Sequence, residues 1–263
     1  MKLLVLIKQV PDRDARLVLD ESRRGIVETD LAWEVNESDR YAIETALRLK
    51  EAAGEGEVVA CTLGPARARK ALSHALAMGC DRAVHLVDPD FQDGDPLATA
   101  QALAAVVRRE EPRLVLSGTR SDDAGFGETS LLVAGLLDWP AVFLTMGVEL
   151  AGDKVRVVRE LERSRQEVLE VQLPALLAVQ SGIFDVRYTS LKGIMAAKRK
   201  PVDTPTPEQL GLSIEQIGRP GSRLEVLELA PPVRKSTCEF LEGEPAAVAR
   251  QLVEKLQREA KVL

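Results

Sequence analysis

The sequence predicts an α/β fold: a doubly wound, mostly parallel sheet with antiparallel strands added and a C-terminal helical arm. Three observations predict this class. Short apolar runs alternate with helical patterns up to about residue 140, several strand-like runs joined by short turns follow Trp139, and the last segment repeats apolar residues at helical spacing. Strands that alternate with helices usually lie parallel, with helices covering both faces of the sheet.

The first part of the chain contains four predicted core strands and four predicted helices. Short continuous apolar runs are typical of buried parallel strands, and they are KLLVLIKQV, EVVACTL, RAVHLV and RLVLSG. The helical patterns are NESDRYAIETALRLKEAAG, GPARARKALSHALAMG, DPLATAQALAAVVRREE and GETSLLVAGLL. Before the first helix, ARLVLDESRRGIVET predicts a hairpin turning near Gly25.

After Trp139 the alternation of strands and helices gives way to consecutive strand-like runs. Four further strands are predicted from AVFLTMGVEL, DKVRVVREL, RQEVLEVQL and ALLAVQ, and we expect them to pair antiparallel and to extend or flank the sheet. Residues 201 to 232 are rich in proline, glycine and charge and predict a linker. In EPAAVARQLVEKLQREAKVL, an apolar stripe predicts an amphipathic helix and consists of Val248, Leu252, Leu256 and Ala260.

Composition excludes several functional classes. A net charge of −6 and a pI near 5.3 argue against nucleic-acid binding, which needs a basic surface. Cys61, Cys80 and Cys238 lie far apart and are odd in number, which favours a reducing compartment. The N-terminal apolar run is too short for a signal peptide, and no run approaches the length of a membrane span. We therefore expect a bacterial cytoplasmic protein without membrane insertion.

Residues that could perform catalysis by themselves are scarce. His74 and His85 fall inside a predicted helix and strand, where a structural role is expected. The sequence lacks metal-ligand spacing, a nucleophile elbow, a phosphate-loop lysine motif and a dinucleotide glycine motif. These observations favour a binding protein over an enzyme that acts alone.

The loop SGTRSDDAGFGETS is the strongest candidate for a binding site. It follows a predicted strand and begins a helix, and ligands of doubly wound sheets bind at the carboxyl ends of the strands. Gly125 and Gly127 allow close backbone approach, Thr129 and Ser130 add hydroxyls, and a helix N-terminus favours an anion. A glycine-rich turn with capping acids at Asp122 and Asp123 is an equally good interpretation.

Other predicted strand ends converge on the same rim. Leu6 to Lys8, the Asn36 segment and Leu63 would complete an adenine-nucleotide pocket with that loop. Asn36 taken alone fits an N-cap of the first helix equally well, with Asp39 three residues later.

RYTSLKGIMAAKRK, residues 187 to 200, mixes apolar side chains with clustered cations. It is either a docking surface or a helix whose Leu191, Ile194 and Met195 enter the core of the protein itself.

Taken together, several segments resemble the β subunit of electron-transfer flavoproteins. They are LVLIKQVPD, NESDRYAIETALRLKE, GPARARKALSHALAMGCDRAVHL, LVLSGTRSDDAGFGETSLLVAGLLDWP and LPALLAVQSGIFDVRYTSLKGIMAAKRKPV, spanning residues 4 to 202 in family order. The resemblance implies a Rossmann-like sheet of the adenine-nucleotide α-hydrolase type. It implies a nucleotide-binding domain over residues 1–200 with a recognition loop at about 182–200. Residues 201–263 would form a linker and an arm whose helix packs on the α subunit.

The resemblance also implies cofactors. FAD would lie mainly on the α subunit, shared at the interface, and AMP without a redox role would lie on this chain. Family members often read Asn-Pro at Asn36 and Glu37, and a different loop at Gly125 to Glu128, so a second FAD in place of AMP, as in electron-bifurcating members, stays open. Arg13 and Ser38 match positions that lie toward the α-subunit flavin. The implied cofactor-binding residues are Leu6, Arg13, Asn36, Glu37, Ser38, Asp39, Leu63, Asp123, Ala124, Gly125, Phe126, Gly127, Glu128, Thr129, Ser130, Leu131, Leu132, Val133 and Ala134.

Finally, the resemblance implies partners. Leu191 would insert into an apolar pocket of acyl-CoA or other flavin dehydrogenases, and a quinone oxidoreductase or equivalent would accept the electrons. Two alternatives of other classes are a homodimeric nucleotide-sensing protein and a nucleotide α-hydrolase enzyme, the latter disfavoured because KQVPDRD lacks a glycine-rich loop. The implied recognition residues are Tyr188, Leu191, Ile194, Met195, Lys198, Arg199 and Lys200.

Overall fold

A computed structural model describes residues 1–233 and 238–262 of the chain. Its main feature is a nine-stranded sheet, and β2 and β3 form a separate antiparallel pair. The strands are β1 Lys2–Leu6, β2 Gln9–Pro11, β3 Trp33–Val35, β4 Glu57–Leu63, β5 Arg82–Leu86, β6 Leu114–Gly118, β7 Ala141–Ala151, β8 Lys154–Glu160, β9 Gln166–Gln172, β10 Ala175–Val179 and β11 Val202–Asp203. The helices are α1 Glu37–Ala53, α2 Arg69–Met78, α3 Pro96–Glu110, α4 Thr129–Leu137, α5 Leu191–Ala197, α6 Gly218–Gly221 and α7 Pro245–Arg258.

The order across the main sheet is β11-β5-β4-β1-β6-β10-β7-β8-β9. Every neighbouring pair from β11 to β7 is parallel, whereas β7, β8 and β9 pair antiparallel. The predicted doubly wound, mostly parallel sheet with antiparallel strands added is therefore confirmed.

One predicted pairing is wrong. The run ALLAVQ was expected to pair antiparallel, but β10 lies parallel between β6 and β7, with Leu177 opposite both Leu116 and Val142. All five residues of β10 are buried. A strand covered on both faces is typical of the centre of a parallel sheet, and burial of this strand outweighs its position after two hairpin-connected strands.

The predicted early hairpin is shorter than expected. Its two arms meet at a single bridge between Leu19 and Ile26, and Val27 N–H donates to Val18 O at 2.8 Å. The regular antiparallel pair in this region instead joins β2 to β3, with Val10 opposite Glu34. Leu17, Val18 and Val27 are exposed, so no core face holds the arms in an extended ladder.

Two apolar clusters cover the two faces of the sheet. On one face α1 and α2 pack on β1 and β4 through residues such as Ile43 and Leu72. On the other face α3 and α4 pack through Leu103, Val106 and Val133. The carboxyl ends of β1, β4 and β6 therefore come together at one edge of the body, between the two helical layers.

The segment after residue 200, which was predicted to be a linker, packs in part on the rest of the protein. Val202–Asp203 adds a parallel edge strand to β5, and Ile217 is completely buried beside the α3 layer. From Leu224 to Val233 most aliphatic side chains are exposed. The final helix forms as predicted but ends at Arg258, and Leu263, the last residue of its predicted span, lies outside the described residues. Within the described ranges, no helix has both the length and the apolar content needed to cross a membrane.

Candidate functional site

A cleft of about 1310 Å³ opens at the carboxyl edge of the sheet. Its inner part is apolar, formed by Leu6, Leu63, Phe91 and Leu103. Its outer part carries hydroxyl and charged groups from the loop after β6. Of the residues expected to bind a cofactor, the cleft is lined by Leu6, Asn36, Asp39, Leu63, Asp123, Ala124, Phe126, Gly127, Glu128, Thr129 and Ser130.

The remaining expected cofactor residues do not line this cleft. Val133 and Ala134 are buried in the α4 side of the core, and Leu132 packs against the same cluster. The lining also includes residues 117–121, the first part of the candidate loop SGTRSDDAGFGETS, which the resemblance did not imply as cofactor-binding. Leu131 is exposed on α4, Gly125 has a positive φ of 68° at the loop tip, and Glu37, Ser38 and Arg13 cluster at the start of α1.

Arg13 and Ser38 make contacts within the chain. Arg13 Nη2 pairs with Glu37 Oε2 at 2.5 Å, and both side chains are largely exposed. Ser38 is buried, and its hydroxyl donates to Arg120 O at 3.0 Å. The buried Ser38 hydroxyl therefore fixes the loop after β6, while the Arg13–Glu37 pair lies on the surface.

Asn36 joins α1 to that loop and does not cap the helix through its side chain. Its Nδ2 donates to Arg120 O at 2.9 Å, and its Oδ1 accepts from Asp122 N–H at 2.8 Å. The interpretation of Asn36 as a side-chain N-cap is therefore wrong. The Asp122 carboxylate accepts from Glu37 N–H at 3.2 Å, so an acid from the loop supplies the acceptor at the start of α1.

Asp39 ties two strand ends together beneath the cleft. Its Oδ2 accepts from Lys8 N–H at 2.7 Å and its Oδ1 from Gly118 N–H at 2.9 Å. Burial raises the pKa of the Asp39 carboxyl to about 7, although both backbone donors and the Lys8 ammonium favour the charged form. This residue links α1, the chain after β1 and the end of β6.

Asp39→Asn is expected to lower the free energy of unfolding by about 1–3 kcal/mol, because an amide N–H₂ would face a backbone N–H that has lost its acceptor. The difference between the two proteins is expected to shrink as pH rises. The carboxyl has a pKa of about 7 when folded and about 3.9 when unfolded. The raised pKa therefore stabilises the folded, unmodified protein fully below about pH 3.9, and this contribution is lost as pH rises through about 7.

Urea unfolding of both proteins at several pH values between 5 and 8 checks this result. Other titrating groups are common to the two chains, so the difference isolates Asp39. A difference that grows toward pH 8 would contradict the raised pKa.

The rim of the cleft carries the Lys8 cation and the start of helix α4. Lys8 Nζ lies 2.7 Å from both carboxylate oxygens of Asp123. Burial alone would raise the pKa of Asp123, but Lys8, the Ser121 hydroxyl and the Ala124 N–H together hold the pKa below its ordinary value. At the start of α4, Glu128 makes no side-chain capping bond. The first N–H groups of a helix lack intrahelical partners, so this end can accept an anion. Ser117 also lies on the cleft, buried, and its Oγ has no hydrogen-bond partner within residues 1–233 and 238–262.

Neither histidine lines the cleft, although His85 contacts Gly64, which does. His85 is buried, and its Nε2–H donates to Gly64 O at 3.0 Å. Burial lowers the pKa of both His74 and His85, so neither favours the charged form. In the part of the chain that the structure describes, no group of three or more His, Cys, Asp or Glu side chains could hold a metal ion.

A second surface lies on α5 and the residues before it. Tyr188 is 99% exposed, Leu191 83% and Met195 61%. The Ser190 hydroxyl caps the helix by accepting from Gly193 N–H at 3.0 Å. The interpretation that Leu191, Ile194 and Met195 fill the core of the protein is therefore wrong.

The cations at the end of α5 differ in their surroundings. Lys198 and Arg199 are exposed. Lys200 is half-buried, and its ammonium donates to Leu76 O at 2.9 Å and to Cys80 O at 2.6 Å. Lys200 therefore contacts the C-terminal end of α2, where a cation also complements the helix dipole.

Comparison with known proteins defines the class. The family model described as the electron transfer flavoprotein domain matches residues 24–210, which include much of the cleft and all of α5. The chain is 35% identical over 264 residues to the electron transfer flavoprotein subunit beta of Bacillus subtilis (strain 168), with all of both chains covered.

Two further relatives extend the comparison. The mitochondrial electron transfer flavoprotein subunit beta of Oryza sativa subsp. indica is 36% identical over 266 residues, with both chains covered completely. The Homo sapiens subunit beta is 32% identical over 259 residues, covering 98% of this chain and 97% of the human one. The chain therefore belongs to the electron transfer flavoprotein family, as a β subunit, which confirms the resemblance seen in its sequence.

Proposed function

We propose that this β subunit pairs with an electron transfer flavoprotein α subunit, holds AMP in the cleft, and docks flavin dehydrogenases through α5. FAD, held mainly by the α subunit, would supply the electron-carrying chemistry, and this chain would perform no catalysis alone. Acyl-CoA or other flavin dehydrogenases would donate electrons, and a quinone oxidoreductase or equivalent would accept them. The setting would be the bacterial cytoplasm.

The observation that carries the nucleotide proposal is the uncapped start of α4 on the cleft. Thr129 and Ser130 begin this helix and line the cleft. Their free N–H groups and the helix dipole suit a phosphate. Lys8 adds a cation nearby, already paired with Asp123. The apolar inner part of the cleft, around Leu6 and Leu63, suits the flat adenine ring.

The proposed nucleotide would contact backbone as well as side chains. Gly127 lines the cleft with φ at 68°, a conformation that favours glycine and lets the chain turn toward α4. Leu6 and Leu63 would contact the nucleotide because they line the cleft at the carboxyl ends of β1 and β4. The N–H groups of α4 and the apolar residues of the cleft would together hold a mononucleotide, and the proposal requires neither a metal nor a catalytic side chain.

Thr129→Asp tests the phosphate position. A carboxylate at the first helical residue is expected to leave stability unchanged or raise it by about 0.3–1 kcal/mol through the helix dipole. The same charge would repel a phosphate, and we expect the affinity of the complex for AMP to fall by roughly tenfold or more. Calorimetric titration of nucleotide-stripped complex with AMP measures the affinity.

Thr129→Asn is the matched control, because it has nearly the same shape and lacks the charge. The proposal predicts that Thr129→Asn keeps most of the affinity. Equal AMP affinities in the Asp and Asn variants would place the phosphate elsewhere, and no AMP binding by the unmodified complex would remove the nucleotide role altogether.

A second FAD in place of AMP is the other candidate, and one observation favours it. The cleft measures about 1310 Å³, whereas small-molecule pockets usually span roughly 300–1,000 Å³. Its lining extends beyond the strand ends to Trp33 and Arg67, where Arg67 stacks on the Trp33 ring, and to residues 91–96. Chromatography of the nucleotides released from denatured complex distinguishes AMP from FAD.

A further inference from the structure

Helix α5 is held on the body of the protein at three points while its apolar side chains face outward. We propose that Arg187 and Lys200 are positioning residues for partner docking. They fix α5 so that Leu191 and Met195 are already presented when a partner arrives. This inference rests on the proposed docking role of α5 and adds the residues that make docking effective.

The first point lies just before the helix. Arg187 Nε donates to Glu44 Oε2 at 2.7 Å, and its Nη1 donates to Glu51 Oε1 at 2.7 Å. The backbone N–H of Arg187 also donates to Glu44 Oε2, at 3.2 Å. Both acids lie on α1, so the chain four residues before Leu191 is fixed to that helix.

The Glu44 carboxylate is a buried anchor. Its side chain is 2% exposed, and Arg48 Nε provides a second partner at 2.7 Å. Burial raises the pKa of Glu44, but the hydrogen bonds from Arg187 and Arg48 outweigh burial and hold the pKa below its ordinary value. A buried carboxylate that keeps its charge needs these cations, so losing Arg187 would disturb the whole attachment.

Arg48 extends the same attachment to earlier residues. Its guanidinium lies 4.5 Å from the centre of the Phe184 ring, and its Nη2 donates to Asp185 O at 3.3 Å. The segment from Phe184 to Arg187 is therefore bound to α1 by stacking and by charge-assisted hydrogen bonds.

The other two points lie on α2. A Cβ added to Gly193 would lie 2.5 Å from Ala77 O, so the middle of α5 approaches the end of α2 too closely for any side chain. After α5, the Lys200 ammonium donates to Leu76 O and Cys80 O, which belong to the same end of α2. The two helices are thus joined where α2 ends.

These contacts matter because α5 cannot order itself. It has seven residues and none of them is buried. Isolated helices shorter than about 12 residues are marginal in water. A segment that had to be ordered on binding would add its conformational entropy to the cost of association. A helix fixed beforehand lets a single apolar anchor support a specific complex.

The experiment uses the complete complex with its α subunit and a dehydrogenase that reduces it. Arg187→Met and Lys200→Met remove the charged groups and keep aliphatic stems. We expect each to raise the KM for the complex by about tenfold and to leave kcat and flavin content unchanged. Backbone amides of residues 184–200 should exchange hydrogen faster. Arg109→Met, which breaks a 2.7 Å ion pair with Asp203, is the control and should change neither quantity.

A double-substitution cycle with Leu191→Ala decides the role. If Arg187 acts by presenting Leu191, Arg187→Met should have little further effect on KM once Leu191 is alanine. Fully additive effects, or a normal KM for Arg187→Met, would overturn the inference. A normal KM for Leu191→Ala alone would instead remove the docking role itself. If Arg187→Met fails to fold, Glu44→Gln/Arg187→Met removes the unpaired carboxylate and the cation together, and the same KM outcomes apply.

Discussion

Leu191→Ala is expected to raise the KM for the complex by about thirtyfold in electron transfer from a dehydrogenase. Leu191 is 83% exposed in the free chain, so its burial would occur in the docked complex. Moving one leucine side chain from water into an apolar pocket contributes about 2 kcal/mol, which corresponds to about thirtyfold in affinity. Steady-state kinetics with the dehydrogenase as reductant measures the change.

The folding of the chain should not change with this substitution, because an exposed side chain away from special features affects stability by about 0.5 kcal/mol or less. Leu227→Ala is the matched control, since Leu227 is 74% exposed and lies far from α5 in the sequence. An equal rise in KM for both variants, or no rise for Leu191→Ala, would contradict docking through this leucine.

Gly118→Ala is expected to lower the melting temperature by roughly 10 °C, which corresponds to about 3 kcal/mol for a chain of this size. A Cβ at residue 118 would lie 2.1 Å from Ser38 Oγ and 2.4 Å from Asp39 Oδ1. The start of α1 would have to move away from β6, which would break the Asp39 contact to Gly118 N–H. Thermal unfolding monitored by circular dichroism measures the change.

Gly135→Ala is the matched control, and we do not expect it to lower the melting temperature. Gly135 lies in α4, and no heavy atom lies within 4 Å of an added Cβ. Alanine is favoured over glycine in a helix by about 0.8–1.0 kcal/mol, so stability should hold or rise. A melting temperature for Gly118→Ala equal to that of the unmodified chain would show that α1 does not depend on this close approach.

The parallel half of the sheet was predictable because burial on both faces leaves a local signal. The strands β4, β5 and β6 are short apolar runs followed by helical patterns, and the structure confirms each. The first predicted run, KLLVLIKQV, is divided between β1 in the main sheet and β2 in the antiparallel pair. The strand β10 carries the same signal in ALLAV, since all five of its residues are buried. The preceding antiparallel strands directed the prediction to the wrong pairing, because the partner of a strand depends on residues distant in sequence.

The candidate site was predictable where it follows strand ends. Leu6, Leu63 and the loop after β6 reach one cleft because the carboxyl ends of parallel strands share an edge. The roles of Asn36 and Asp39 were not predictable, since both act on partners about eighty residues away, Arg120 and Gly118. Local capping rules apply to neighbours in sequence and carry no information on such contacts.

The attachment of α5 depends even more on contacts between residues distant in sequence, which local patterns do not predict. Arg187 and Glu44 are 143 residues apart in sequence. Nothing in RYTSLKGIMAAKRK distinguishes the arginine that anchors the segment from the cations that face solvent. Lys200 likewise belongs by sequence to the same cationic run as Lys198 and Arg199, yet its ammonium binds two carbonyl oxygens of the α2 end. The residues of this segment alone left a docking surface and a core helix as alternatives. The structure shows that the apolar side chains of α5 are exposed.

The most direct test of the account is to count the nucleotides in the complex formed with its α subunit. The two chains would be co-expressed, purified together and denatured, and the released nucleotides identified and quantified by chromatography. We predict one FAD and one AMP per heterodimer. Two FAD molecules would assign the cleft to flavin and contradict the AMP role. Absence of flavin and of a co-purifying α subunit would contradict the proposed electron-carrying complex.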